Sequence, residues 1–235
     1  MDKIKPLSRI QIDNEAIAFL NKYNKDAIEN PQKLDLEDII ENKLQLSIDY
    51  QILDSDNHIL GMTVFKSGNI EVLDENKNKK YIRVEKNTMV FNEELASNLK
   101  QQGRFRFTLA HEIGHWVLHR KYYFIDENQL NLFDELGEND FIKCLNRNEN
   151  DMITNQNKTN IDWLEWQADN FASSLLMPKN IFKITYEKLT KELSNEKEVI
   201  SKLSSIFGTS KQACQIRLNI LYNKDILDNQ LKISN

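Results

Sequence analysis

The stretch HEIGH holds three residues that, on a helix, have the types and spacing of a metal-dependent hydrolytic site. His111 and His115 are four residues apart, so on an α-helix they lie on the same face, about 6 Å apart along the axis. Two imidazoles placed in this way suit a tetrahedral Zn²⁺. Glu112 lies one step round the helix, where its carboxylate can act on water at the metal without binding the metal, as in the zincin pattern HExxH. The alternative is a helix that carries these histidines for packing alone.

A hydrolytic zinc site also needs a third protein ligand. His119 continues the stripe of histidines, but three histidines at successive turns of one straight helix cannot converge on one ion. We therefore predict that His119 is a neighbouring polar or core residue. The segment EWQAD places Glu165 and Asp169 on one face of a second helix. We predict that Glu165 binds the metal and that Asp169 accepts the outer N–H of a ligating histidine, which would fix its tautomer.

Simpler explanations exist for both carboxylates. Asp162 precedes Glu165 by three residues, so the pair has the spacing of a capping box at a helix start. Asp169 has the alternative of being an ordinary exposed helix residue. Neither alternative explains why both carboxylates lie on a helix with a core-like apolar stripe. That stripe consists of Leu164, Ala168, Phe171 and Leu175.

The sequence around these residues predicts an α+β fold, with a short antiparallel sheet packed against helices. After two short helical patterns, the runs LSIDYQIL, ILGMTVF, NIEVL, YIRVE and TMVFN alternate in polarity and predict an antiparallel meander. From Gly103 the apolar residues Leu109, Ile113 and Trp116 recur at helical spacing, which predicts a buried, zincin-like active-site helix. The second helix, in WLEWQADNFASSLL, ends at the following Met-Pro.

Three segments divide the chain. Residues 1–190 are predicted to form a catalytic domain, and within it 126–160 is an Asn-rich polar insertion that we interpret as a mobile lid. The insertion has an apolar island, formed by Leu132, Phe133, Leu136 and Phe141. Residues 191–235 predict a C-terminal helical hairpin that is similar to a DNA-binding helix-turn-helix. Its basic residues are few, namely Lys211, Arg217 and Lys224, so we favour a hairpin that packs on the core.

Composition narrows the class of protein. The chain of 235 residues is 40% hydrophobic and 29% charged, with a formal net charge of −5. This balance suits a globular protein and argues against one that coats nucleic acid through bulk charge. No run approaches the roughly 20 apolar residues of a membrane span, and the first residues lack the apolar core of a signal peptide. The two cysteines, Cys144 and Cys214, are interpreted as thiols in a reducing cytoplasm.

Two longer motifs carry a family resemblance. RFRFTLAHEIGHWVLH followed by EWQADNFASSLLMP resembles the ImmA/IrrE family of zinc metallopeptidases, over about residues 12–179. Members pair an FTLAHELGH-like helix with a later E-x-x-A-[DN]-x-F-A-x-x-LLMP segment. The resemblance implies His111, His115 and Glu165 as ligands of Zn²⁺, for which Mn²⁺ is an alternative, and Glu112 as the catalytic residue. The gap of 50 residues from His115 to Glu165 is longer than the family leads us to expect, and the Asn-rich insertion accounts for the excess.

The resemblance implies a function. The chain is expected to be a cytoplasmic zinc endopeptidase that cleaves a helix-turn-helix repressor of the Xre type, which would switch on stress-response or mobile-element genes. We expect no membrane association and no direct DNA binding. Glu112 would take a proton from water and pass it to the leaving amine. Candidates for stabilising the oxyanion are His119, Tyr122 and Tyr123.

Two other functions stay open at this point. One is a DNA-binding regulator with a purely structural zinc, and the other is a partner that binds a repressor without cleaving it. Glu112 counts against both, because neither needs a base beside the metal.

Overall fold

The computed structural model describes residues 5–56, 58–123, 141–145 and 160–222. The chain divides into two compact units. The first comprises Met1–Pro6 and Asp35–Ala172, and the second comprises Leu7–Leu34 and Ser173–Asn235. The sequence predicted a domain boundary near residue 190. The structure instead groups the first helices of the chain with the C-terminal hairpin. Among the described residues, no helix combines the length and the apolar character that crossing a bilayer requires.

The first unit contains the sheet and the two helices that carry the predicted site. Its strands are β1 (Ser47–Gln51), β2 (Ile59–Val64), β3 (Gly68–Leu73), β4 (Lys79–Val84), β5 (Thr88–Asn92) and β6 (Phe141–Leu145). Its helical segments are α3 (Leu36–Asp38) with a π-helical turn (Ile39–Lys43), α4 (Glu93–Ser97), a 3-10 turn (Leu99–Gln101), α5 (Gln102–Tyr123) and α6 (Asn160–Leu176). The residues of α6 from Ser173 onward are grouped with the second unit. The predicted α+β class is confirmed.

The strand order differs from the predicted meander. Four strands form one sheet in the order β1-β5-β2-β6, and β3 and β4 form a separate antiparallel hairpin. β1 and β5 are parallel, while β2 is antiparallel to both β5 and β6. The meander was wrong because alternating polarity shows which face of a strand is buried, but not which strand lies beside it. The parallel pair is possible because β2, β3 and β4 all lie in the connection between β1 and β5.

β6 lies inside the segment that the sequence interpreted as a lid. Its five residues pair with β2, from Phe141 opposite Val64 to Leu145 opposite Ile59. The predicted insertion therefore includes one strand of the sheet. Sequence reasoning missed this strand because FIKCL is short, does not alternate cleanly and stands in an Asn-rich context. The rest of 126–160, apart from the start of α6, lies outside the described residues.

Two glycines allow α5 to approach its neighbours closely. A Cβ added to Gly114 of α5 would lie 3.2 Å from both the Cα and the carbonyl oxygen of Ala168, and 3.3 Å from Phe171 Cβ, on α6. A Cβ added to Gly61 of β2 would lie 3.1 Å from the Thr108 methyl on α5. Glycine inside a helix costs about 1 kcal/mol relative to alanine. At Gly114 the close contact between α5 and α6 explains that cost.

The second unit is helical. Its helices are α1 (Arg9–Tyr23), α2 (Asp26–Glu29), α7 (Lys179–Glu192), α8 (Glu196–Phe207) and α9 (Lys211–Tyr222). α8 and α9 form the predicted C-terminal hairpin, and Gly208 between them has a left-handed φ of 63°. Leu203, Phe207 and Leu218 of the hairpin are buried. The Phe207 ring lies 5.2 Å from that of Phe182 on α7, so the apolar face of the hairpin packs within this unit.

Arg217 was one of the basic residues that a DNA-reading helix would need. Its side chain is 3% exposed, donates to Asp13 Oδ1 at 2.8 Å, and donates to the carbonyl oxygen of Met177 at 3.2 Å. This arginine therefore joins α9 to α1 and to the residue that follows α6, and it is not available to a phosphate. Lys211 is exposed, and Lys224 lies outside the described residues.

Candidate metal centre

Three buried side chains of the first unit meet between α5 and α6. His111 and His115 extend from successive turns of α5, and their Nε2 atoms lie 2.9 Å apart. From α6, Glu165 places Oε2 3.4 Å from His111 Nε2 and Oε1 3.3 Å from His115 Nε2. The exposed fractions of the three residues are 1%, 0% and 2%. Their potential ligand atoms all lie within 4.8 Å of one another, so the group can hold a metal ion.

The donor set fits a divalent transition metal. Two imidazoles and one carboxylate form a set that catalytic zinc uses, with one position left for water or substrate. Glu112 Oε1 is also buried and has no hydrogen-bond partner among the described residues. A buried carboxylate oxygen without a partner is costly, and water in a filled site would give it one.

The electrostatics of the metal-free cluster favour a cation. Burial opposes ionisation of Glu165, but attraction to His115 and hydrogen bonds from His111 and His115 outweigh it and lower the pKa of this carboxyl. Burial lowers the pKa of His115 despite the opposing effect of Glu165. The cluster therefore combines an ionised carboxylate with an imidazole that burial biases toward its neutral, metal-binding form.

Asp169 lies at the outer nitrogen of the first histidine. Its Oδ1 is 2.8 Å from His111 Nδ1, on the side of the ring that faces away from the cluster. A carboxylate in this position accepts a hydrogen bond from Nδ1–H. The proton then stays on Nδ1, and Nε2 keeps its lone pair for a metal. The sequence assigned this position to Asp169 from the spacing of EWQAD alone.

The capping-box alternative for Glu165 does not match the observed helix. α6 begins at Asn160, so Asp162 lies inside its first turn and is not the residue before the helix. Glu165 is buried and faces the histidines of α5. The position of the helix start could not be read from the sequence with certainty, because Asn160 and Asp162 are both common capping residues.

Glu112 is held by a residue that sequence reasoning missed. The Thr63 hydroxyl on β2 donates to Glu112 Oε2 at 2.6 Å, and both side chains are buried. Burial, with a smaller contribution from the charge of Glu165, raises the pKa of Glu112 to about 8, against the lowering effects of His111 and the Thr63 hydrogen bond. The sequence signal for Thr63 was a single polar residue in the otherwise apolar run ILGMTVF.

The structure separates the three candidates for oxyanion stabilisation. His119 is fully buried, and its Nδ1 lies 3.0 Å from His115 Nδ1, behind the second histidine. The Tyr122 hydroxyl accepts a hydrogen bond from the backbone N–H of Lys5 at 3.3 Å.

Tyr123 has a different environment. Its ring stacks on Phe65, with centroids 4.6 Å apart. Burial, with a smaller contribution from the charge of Glu165, raises the pKa of Tyr123 to about 12. The phenol is thus a neutral hydrogen-bond donor that is electrostatically coupled to the cluster.

Comparisons with known proteins do not extend the motif resemblance. No family model matches the chain, and no curated protein matches it. Among solved structures, a Mycobacterium tuberculosis transcriptional regulator is similar with a TM-score of 0.42 and 12% sequence identity. That similarity covers 91% of this chain and 52% of the regulator, so the chain spans about half the length of that protein. What the structure establishes is a buried His-His-Glu group that can hold a metal ion.

Proposed function

We propose that the protein is a metal-dependent endopeptidase of the ImmA/IrrE type. The observation that carries the proposal is Glu112, a buried carboxyl whose Oε1 has no partner among the described residues and which lies beside His111 on the same helix. A purely structural metal site needs its ligands but no additional base beside them. The resemblance of the HEIGH and EWQAD segments to that family supports the same assignment.

Each residue of the site has a separate role in the proposed peptide hydrolysis. His111, His115 and Glu165 would hold Zn²⁺, or alternatively Mn²⁺, which supplies Lewis acidity for polarising a peptide carbonyl and acidifying water. Glu112 Oε1 accepts a proton from the attacking water and returns it to the leaving amine. The Thr63 hydroxyl binds Oε2 and so leaves Oε1 free for this exchange.

Two further residues have supporting roles in this proposal. Asp169 keeps the proton of His111 on Nδ1, through their contact of 2.8 Å. The neutral hydroxyl of Tyr123 is the proposed donor to the oxygen that becomes negative during attack. Tyr122 is the weaker candidate, because its hydroxyl oxygen is held by the backbone N–H of Lys5.

The substrate proposal rests on the family resemblance. It is a cytoplasmic helix-turn-helix repressor of the Xre type, and its cleavage would release stress-response or mobile-element genes. The burial of Arg217 in the second unit fits a protein that acts on a repressor and does not itself read DNA.

The test is cleavage of purified Xre-type repressors by the zinc-loaded wild type and by Glu112→Gln. Glutamine keeps the Thr63 hydrogen bond but cannot take a proton, so we expect cleavage to be slower by at least about a hundredfold, with zinc content unchanged. Glu15→Gln removes an exposed carboxylate and should cleave like the wild type. Near-normal cleavage by Glu112→Gln would contradict the mechanism. Wild type that binds a repressor without cutting it would favour the non-cleaving regulator.

A further inference from the structure

His119 and Gln167 continue the metal cluster away from the predicted metal position. His119 follows His115 by one turn of α5, and Gln167 lies two residues after Glu165 on α6. His115 Nδ1 is 3.0 Å from His119 Nδ1, and His119 Nε2 is 3.4 Å from Gln167 Oε1. Both His119 and Gln167 are buried, with exposed fractions of 0% and 1%.

The contact of Gln167 with the backbone of Lys5 determines which atoms donate and which accept in these hydrogen bonds. Gln167 Nε2 lies 3.3 Å from the backbone carbonyl oxygen of Lys5, which can only accept, so the amide group of Gln167 donates there. Its Oε1 therefore faces His119 as an acceptor, and His119 Nε2 must donate. A neutral imidazole that donates through one nitrogen accepts through the other. His119 Nδ1 is thus the acceptor for His115 Nδ1–H.

These hydrogen-bond directions determine which nitrogen of His115 is available to a metal. A proton on His115 Nδ1 leaves the lone pair on Nε2, the atom that faces His111 and Glu165. We propose that His119, oriented by Gln167, is a positioning residue that selects the tautomer and ring orientation in which His115 binds the metal. The inference rests on the metal site of the proposed function and adds an orienting group for its second histidine.

The two histidine ligands would then be supported differently. His111 has the carboxylate of Asp169 at its outer nitrogen, whereas His115 has a neutral imidazole. Loss of such outer partners typically weakens metal binding about 10- to 100-fold. A neutral acceptor makes a weaker hydrogen bond than a charged one. We therefore expect that removal of His119 weakens metal binding by about 10-fold, near the lower end of this range.

The experiment uses the full chain and Zn²⁺, with the dissociation constant measured by competition against a chromophoric chelator. His119→Leu removes the acceptor and should weaken zinc binding about 10-fold. His119→Asn keeps an acceptor oxygen near the position of Nδ1 and should bind close to the wild type. Gln167→Met removes the group that orients His119 and should weaken binding by less than His119→Leu. His58→Leu, at an exposed histidine outside the site, is the control and should bind like the wild type.

A second measurement reads the tautomer directly. Long-range proton–nitrogen NMR spectra of the ¹⁵N-labelled, zinc-loaded protein report which nitrogen of His115 carries the proton. We expect Nδ1–H in the wild type and in His119→Asn, and a mixture of tautomers in His119→Leu. A packing role for His119 would not change this distribution.

The outcomes separate the inference from the proposed function. Wild type that fails to bind zinc would overturn the metal site itself. Zinc binding by the wild type with an unaffected His119→Leu variant, or with His119→Asn as weak as His119→Leu, would overturn the positioning role alone. If His119→Leu does not fold, His119→Asn and Gln167→Met decide: equal affinity and equal tautomers in these two variants would overturn the positioning role.

Discussion

Glu112→Gln should change the pH dependence of stability in the metal-free protein. The carboxyl is fully buried, and burial raises its pKa from the ordinary value of 4.5 to about 8. Between these two values the folded protein holds a proton that the unfolded chain has released. The free energy of unfolding therefore falls as pH rises through this window. Glutamine does not titrate, and it can still accept from the Thr63 hydroxyl, so the variant lacks this contribution.

The magnitude follows from the size of the shift. Each pKa unit corresponds to about 1.36 kcal/mol. Between pH 5 and pH 8 most of the window is crossed, so the wild type should lose about 3.5 kcal/mol of stability that the variant retains. Other groups of the cluster, including His115 and Glu165, titrate in both proteins. Their contributions largely cancel when the two stability curves are subtracted.

The assay is urea unfolding of chelator-treated protein at pH 5, 6, 7 and 8, followed by circular dichroism. We expect the free energy of unfolding of the variant to increase relative to that of the wild type with each step in pH. At pH 8 the variant should be the more stable of the two. The exposed Glu15→Gln variant should follow the wild-type curve throughout. Parallel curves for wild type and Glu112→Gln would show that Glu112 is not a strongly desolvated acid.

Three further predictions concern the metal, the helix contact and the tail. Glu165→Ala should lower the zinc content measured by elemental analysis, because it removes one of three ligands, and equal content would exclude Glu165 from the site. Gly114→Ala should lower both zinc affinity and melting temperature, because its methyl group would press on the α6 backbone at Ala168; unchanged values would mean that the helices separate without cost. Arg217→Met should cost at most about 3 kcal/mol in urea unfolding, because it removes the charged partner of the partly buried Asp13 while the Ser174 hydroxyl still donates to that carboxylate, whereas Lys211→Met should cost almost nothing. A sequence-selective DNA complex of the wild type, lost in both variants, would contradict the packing role of the tail.

The ligands and the catalytic candidate could be predicted because their relations are local. His111 and His115 share a helix face at a spacing of four, as do Glu165 and Asp169, and helical geometry alone brings each pair together. The apolar stripes on both segments indicated that the two helices are buried.

The supporting residues could not be predicted, because their partners are distant in the sequence. Thr63 and Glu112 are separated by 49 positions, and His119 and Gln167 by 48. No spacing rule relates such pairs, and they become neighbours only through the sheet order and the contact of α5 with α6. The role of Arg217 was hidden for the same reason, since its carboxylate partner lies 204 positions away at Asp13.

The division of the chain into two units has a consequence for biosynthesis. The second unit is discontinuous in the sequence, because Asp35–Ala172 of the first unit is translated between its two parts, Leu7–Leu34 and Ser173–Asn235. At about 5–20 residues per second, the ribosome needs several seconds after Ala172 to complete α7, α8 and α9. His111, His115 and Glu165 are all present before that interval begins. The residues that can hold a metal ion are therefore made before Arg217, which pairs with Asp13 of α1.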